Sequence, residues 1–145
     1  MPRNSQISGN RLKDQYALTD KCKAGKESDK QEDYKRIEVA KQIVGSGKLL
    51  VDTNASWDAQ TALSFAPELA RLGVAWLEEP IPFEDIEGMK KLNAAVPQLH
   101  VIGCETQQGV KNFQHMAQED AISIVQPDGL AASPSAERSA LWRRR

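Results

Sequence analysis

Four acidic residues follow four short apolar segments at nearly equal intervals along the chain. They are Asp52, Glu78, Glu105 and Asp128, at separations of 26, 27 and 23 residues. Each interval is long enough for a helix and a return to the next parallel strand. Because the carboxyl ends of parallel strands meet at one edge of a sheet, where α/β barrels carry their chemistry, we expect these carboxylates to lie near one another.

Three of these acids have the chemistry of a magnesium site. Mg²⁺ prefers oxygen ligands in octahedral geometry and leaves positions for water or substrate. Asp52, Glu78 and Glu105 come from successive strand ends, so their carboxylates are placed to converge on one ion. A helix cap or a surface salt bridge would explain any one of them alone. The shared register of all three favours the metal site.

Lys21 and Lys23 form a second chemical element, one strand before the acids. Residues two apart on a strand share a face, so both amines are expected to point into the same cavity. Like-charge proximity and desolvation there would favour the neutral form of one lysine, which makes it a usable base. A Lys-x-Lys sequence is common in exposed segments, and only its position before the acids gives it weight.

The elements that must position these residues alternate between strand and helix. Asp29 and Asp58 are predicted N-caps, with Gly45 and Gly73 at the corresponding helix ends. The predicted strands are 16–23, 48–52, 74–78, 99–105 and 122–126, and the predicted helices are 29–44, 58–72, 84–95 and 108–118. Pro67 should kink the second helix. The predicted fold is α/β, a partial TIM (β/α)8-type barrel with about strands 2 to 6 in a parallel sheet.

The chain divides into three parts by composition. Residues 1–14 are polar and are expected to be irregular, residues 15–128 carry the barrel pattern, and residues 129–145 diverge from it. A barrel of this extent has two unpaired sheet edges. We therefore expect a homo-oligomer or an aggregation-prone fragment.

The bulk composition excludes several classes of function. A net charge of −1 gives no electrostatic reason for binding nucleic acid or a membrane, and no apolar segment approaches the length of a membrane span. Cys22 and Cys104 form neither a metal spacing nor a disulfide framework, which fits a reduced, cytoplasmic setting. The segment 45–48 (Gly-Ser-Gly-Lys) lacks the spacing of a phosphate-binding loop and is interpreted as a helix stop and a turn.

Five short motifs together resemble the barrel domain of the enolase superfamily, in particular its mandelate racemase and acid-sugar dehydratase branch. The resemblance covers about residues 16–128. The motifs are Lys21-Cys22-Lys23, Val51-Asp52-Thr53-Asn54, Trp76-Leu77-Glu78-Glu79-Pro80, Gly103-Cys104-Glu105 and Gln126-Pro127-Asp128.

The resemblance implies a role for each candidate residue. It assigns the three Mg²⁺ ligands named above and places Asn54 near metal and substrate. It makes Lys23 a base on one face of the substrate and Lys21 its electrostatic partner. Asp128 matches an acid that pairs with a histidine from the following strand. No such histidine is recognisable, since His100 and His115 fit surface or packing positions.

The chemistry implied is Mg²⁺-dependent abstraction of the proton α to a carboxylate, through an enediolate. Reprotonation would give a racemase or epimerase, and loss of a β-hydroxyl would give a dehydratase, a hydro-lyase. The implied substrate is an acid sugar or a 2-hydroxy acid. The alternative is a truncated, non-catalytic remnant or pseudoenzyme that retains at most metal binding.

Overall fold

Strands and helices alternate through the described part of the chain. The computed structural model describes residues 19–26, 29–105, 107 and 109–126. The elements are β1 (Thr19–Lys23), α1 (Lys30–Val44), β2 (Lys48–Asp52), α2 (Ala59–Leu72), β3 (Trp76–Glu78), α3 (Ile86–Ala95), β4 (His100–Gly103), α4 (Val110–Gln118) and β5 (Ile124–Val125). The predicted polar lead, the divergent tail and Asp128 lie outside the described residues.

The five strands form one parallel sheet in the order β1-β2-β3-β4-β5. Every strand pairs with its neighbour in sequence, so each helix lies between two adjacent strands in the chain. In the register, Lys23 is opposite Asp52, and Asp52 is opposite Glu78. Directly paired residues on parallel strands lie on the same face. The sheet therefore places these three side chains in one row at its carboxyl edge.

The opposite face of the sheet carries the apolar core. Leu49, Val51, Leu77 and Val101 alternate with the polar row and are at most 1% exposed. The helices cover them with buried side chains of their own, chiefly Ile37, Phe65, Leu69, Leu92 and Phe113. This division leaves the other face free for charged residues.

The predicted helix caps are confirmed. The Asp29 side chain accepts from the Gln31 N–H, and the Asp58 side chain accepts from the Thr61 N–H. Gly45 and Gly73 end their helices at positive φ, where glycine has no steric cost. Pro67 lies inside α2 without ending it.

Several element boundaries differ from the prediction. β3 begins at Trp76 rather than at 74, and β4 ends at Gly103, so Glu105 lies in the turn that follows instead of closing the strand. α3 and α4 also start two residues later than predicted. None of the helices in the described residues combines the length and the apolar character needed to cross a membrane.

Two isoleucines of α1 give a matched test of this packing. Ile37 is 1% exposed and Ile43 is 77% exposed. We expect Ile37→Ala to lower the free energy of unfolding by about 2–5 kcal/mol, because it leaves a cavity under the sheet. Ile43→Ala should change it by less than about 0.5 kcal/mol. Urea denaturation of both variants at one protein concentration measures the difference, and equal losses would contradict this arrangement.

Candidate active site

Two carboxylates are buried side by side at the ends of β2 and β3. Asp52 and Glu78 are both fully inaccessible to solvent. The Lys21 Nζ lies 2.8 Å from Asp52 Oδ2 and 2.7 Å from Glu78 Oε2, so its ammonium bridges the two acids. The Lys23 Nζ lies 2.6 Å from the same Asp52 oxygen. The sheet register thus brings together four of the residues that the sequence predicted for the site.

Asn54 joins this group from the loop after β2. The Lys23 Nζ donates to the Asn54 Oδ1 at 3.0 Å, and the Asn54 backbone N–H donates to the Asp52 Oδ1 at 2.9 Å. Asn54 adopts a left-handed conformation, with φ of 50°, which asparagine tolerates better than most residues. Both oxygens of Asp52 therefore have partners.

Burial and charge shift the pKa values of Lys21 and Asp52 in opposite directions. Burial alone would lower the pKa of Lys21, but the hydrogen bonds and charges of Asp52 and Glu78 outweigh it and raise the pKa to about 12. Burial alone would raise the pKa of Asp52, but hydrogen bonds from the two lysines and from the Asn54 N–H hold the pKa below its ordinary value.

Glu78 behaves differently from Asp52. Burial raises the pKa of Glu78, the Lys21 hydrogen bond opposes this rise, and the charge of Asp52 and the Glu105 carboxyl add to it. The Lys21 contact is an ion pair by distance, but neither Glu78 oxygen accepts a hydrogen bond of good geometry. Glu78 is thus the less well compensated of the two buried acids.

One lysine of this pair was expected to favour its neutral form, and the surroundings of Lys21 do not favour that form. That expectation considered the second lysine and desolvation, whereas Lys21 lies between two carboxylates in the fold. Two neighbouring negative charges favour the ammonium form. The register between β1, β2 and β3 creates this arrangement, and the Lys-x-Lys pattern contains no sign of it.

The donor chemistry of the three acids fits a hard divalent cation. Glu105 is exposed and acts on Glu78 from the turn after β4. Among the described residues, no three His, Cys, Asp or Glu side chains form a group able to hold a metal ion. Asp52 and Glu78 nevertheless offer buried carboxylate oxygens, and Glu78 Oε1 has neither a hydrogen bond nor an ion pair among the described residues. The magnesium site stays a prediction.

A cleft of about 300 Å³ opens beside the charged group. Asn54 and Glu79 line its polar part, and Met89 and Met116 line its apolar part. The paired lysines and buried acids face the other side of the strands, so the cleft meets the charged group at Asn54. Cys104 also lines the cleft, and burial, with the charge of Glu79, raises its thiol pKa to about 12.

Thr53 is a site residue that the sequence analysis did not single out. Its hydroxyl is fully buried and donates to the Glu79 carbonyl at 2.9 Å, with the Pro80 carbonyl at 3.2 Å. It therefore ties the loop after β2 to the loop after β3. A small hydroxyl residue directly after a strand-end acid is the available sequence signal. His100 and His115 are both exposed, in agreement with the surface positions expected for them.

Comparison with known proteins points to one family. A family model described as "Enolase C-terminal domain-like" matches residues 10–132. L-talarate/galactarate dehydratase of Salmonella typhimurium is 31% identical over 98 residues, which are 67% of this chain and 24% of that protein. Human mitochondrial enolase superfamily member 1 is 31% identical over 127 residues, which are 85% of this chain and 28% of that protein. The chain thus spans about a quarter of the length of these relatives.

Solved structures confirm the predicted fold class. The structure of the same Salmonella dehydratase, liganded with Mg and L-lyxarohydroxamate, has a TM-score of 0.80 at 24% identity and covers 91% of this chain and 34% of that one. A racemase from Streptomyces coelicolor with bound magnesium has a TM-score of 0.79 at 22% identity and covers 94% of this chain and 43% of that one. The parallel sheet is accordingly part of a TIM barrel.

Asp52 has more hydrogen-bond and charge partners than Glu78. Neutralising the two acids should therefore change the free energy of unfolding by different amounts. We expect Asp52→Asn to lower the free energy of unfolding by about 1–3 kcal/mol, because it removes the negative charge that pairs with both lysines. Glu78→Gln should cost less than about 0.5 kcal/mol or stabilise the chain, because folding disfavours its charged form. Denaturant titrations with EDTA present measure both values. A larger loss for Glu78→Gln would contradict this ranking.

Proposed function

Because this chain belongs to the enolase C-terminal domain-like family, we propose that it takes part in Mg²⁺-dependent abstraction of the proton α to a carboxylate. The observation that carries the proposal is the juxtaposition of two lysines from β1 with Asp52 and Glu78 at the carboxyl edge of the sheet. In a parallel α/β barrel this edge is where catalytic residues stand.

Asp52, Glu78 and Glu105 would hold the magnesium ion. When bound, Mg²⁺ would stabilise the negative charge that develops on the substrate carboxylate as the α-carbon loses its proton. Asp52 has a lowered pKa and so offers a carboxylate at neutral pH. Glu105 would approach from its turn, since its exposed side chain is not fixed by burial.

Lys23 is the proposed base. Its side chain is 53% exposed, so the Nζ atom is accessible to a substrate above the sheet. Asp52 and Asn54 contact this nitrogen and fix its position at the strand end. The free amine of Lys23 would take the α-proton. Lys21, whose high pKa keeps it an ammonium ion, would supply a fixed positive charge beside the developing enediolate.

An acid sugar is the proposed substrate class. Two relatives bear the names L-talarate/galactarate dehydratase and D-galactarolactone cycloisomerase, which supports a polyhydroxylated carboxylate. Asn54 would contact the substrate, because it joins the charged group to the adjacent cleft. The enediolate would then be reprotonated or lose a β-hydroxyl group. Asp128, which lies outside the described residues, remains a proposed catalytic residue.

A non-catalytic remnant is the second candidate. It is favoured by the position of Glu105, the third proposed ligand, which lies exposed in the turn after β4 rather than at the strand end. Such a protein would retain the charged group as a structural feature. The two candidates differ in turnover, so proton exchange separates them, and titration with Mg²⁺ then tests the proposed ligands.

Proton exchange tests the role of Lys23. We expect the full chain with Mg²⁺ to exchange the α-proton of an acid sugar such as galactarate in D₂O, as followed by proton NMR. Lys23→Ala should reduce the rate by about 10²–10⁴-fold, the usual contribution of a positioned base. Lys35→Ala, on the exposed side of α1, should leave it unchanged. No exchange by the wild-type chain on a panel of acid sugars would favour the remnant.

Calorimetric titration with Mg²⁺ tests the role of Glu78. We expect one binding event for the wild-type chain and at least about tenfold weaker binding for Glu78→Gln, because even indirect partners of a metal contribute 10–100-fold to affinity. Glu87→Gln is the matched control, since Glu87 is 72% exposed on α3. Equal affinities in all three proteins would remove Glu78 from the proposed ligands.

A further inference from the structure

β1 carries both lysines of the site, and its end is anchored by two backbone hydrogen bonds. Among the described strands it pairs with β2 alone. Beyond the last paired residue, the Ala24 N–H donates to the Asp52 carbonyl at 2.9 Å. The Gly25 N–H donates to the Asp33 Oδ2, also at 2.9 Å. The second bond joins the end of the lysine strand to helix α1.

Asp33 is unusual for its place in the fold. It is 1% exposed and lies one helical turn before Ile37, on the face of α1 that packs against the sheet. Burying a carboxylate is costly unless it is bonded. The Gly25 N–H provides that bond, while Asp33 Oδ1 accepts no hydrogen bond and lies 3.8 Å from the Arg36 Nη1.

The backbone that Asp33 holds lies directly against the loop after β2. Gly25 has φ of +87°, and a Cβ atom there would lie 1.8 Å from the Ser56 Oγ and 2.9 Å from the Thr53 carbonyl oxygen. Ser56 is itself bonded to that carbonyl at 2.6 Å. A shift of Gly25 would therefore change the fit between the loop after Lys23 and the loop that follows Asp52.

We propose that Asp33 is a positioning residue, which fixes Lys23 against Asp52 and Asn54 by holding the backbone at Gly25. Asp33 contacts none of the reacting groups. It acts through Gly25 and Ala24, the two residues that follow Lys23. The catalytic consequence rests on the proposed function, because it concerns the base of that reaction. The structural consequence, the placement of the Lys23 amine, holds without it.

Amine labelling and amide exchange test the placement directly. In Asp33→Ala we expect hydrogen exchange at the Gly25 amide to rise about tenfold or more above any change in the core strands. Acetylation of Lys23, followed by mass spectrometry and normalised to Lys35, should rise at least twofold as its ion pair loosens. Asp33→Asn, which keeps a carbonyl acceptor, should fall between Asp33→Ala and the wild-type chain.

Glu32→Ala is the control, because Glu32 is exposed on the same helix and pairs with Lys35 one turn away. It should alter neither the Gly25 exchange nor the Lys23 labelling once that labelling is normalised to Lys91, which is exposed on α3. If Asp33→Ala does not fold, the same comparison is made with Asp33→Asn. A uniform rise in exchange with no excess at Gly25, or unchanged Lys23 labelling, would overturn the proposal.

Proton exchange on an acid sugar adds the catalytic readout. If the wild-type chain is active, Asp33→Ala should lower kcat at least tenfold with KM changed less than threefold, and Asp33→Asn should restore part of kcat. An unchanged kcat would overturn the positioning role while leaving the proposed function intact. An inactive wild-type chain would count against the proposed function, and labelling of Lys23 would then decide the placement alone.

Discussion

The burial of two neighbouring carboxylates is the constraint on which the rest of this structure depends. Asp52 and Glu78 are removed from water at the ends of adjacent strands, and a buried charge is tolerated when opposite charges and hydrogen bonds compensate it. The compensation comes from Lys21 and Lys23, on the strand next to them. β1 must therefore hold its register, because a slip of one residue would turn both lysines to the helix-covered face.

The loops at the carboxyl edge are held in conformations that most residues avoid. Asn54, Ala55, Glu79 and Cys104 all have positive φ, and each follows a strand end. Left-handed backbone costs a non-glycine residue about 1–2 kcal/mol, so the surrounding bonds must enforce it. The Ala55 N–H donates to the Glu79 carbonyl at 2.7 Å, and the Thr53 hydroxyl donates to the same oxygen. These bonds fix the loops relative to one another, which is what a site assembled from several strands requires.

The sequence was informative where the deciding interactions are local. Helix caps such as Asp58 and the alternation of strand and helix depend on neighbouring residues, and both were predicted correctly. The raised pKa of Lys21 had no signal in the sequence, because it depends on carboxylates that are distant in sequence and adjacent in the sheet. Glu105 was predicted to end the fourth strand, but β4 ends at Gly103. The pairing with β5, rather than the length of the apolar segment, decides where β4 ends. The burial of Asp33 was not predicted, because its partner, the Gly25 N–H, comes from the loop after β1 and not from its own helix.

The acidic and the basic side chains of the site differ in their exposure to solvent, and this difference affects which ion pairs can exchange partners. The carboxylate side chains are 1% exposed, whereas the Lys21 and Lys23 side chains are 40% and 53% exposed. The desolvation cost therefore falls mainly on the acids, while the amines keep part of their hydration. A partly hydrated amine can exchange one partner for another at modest cost, because water screens each of its ion pairs. Lys23 can thus leave Asp52 while Lys21 continues to bridge and compensate the two buried acids.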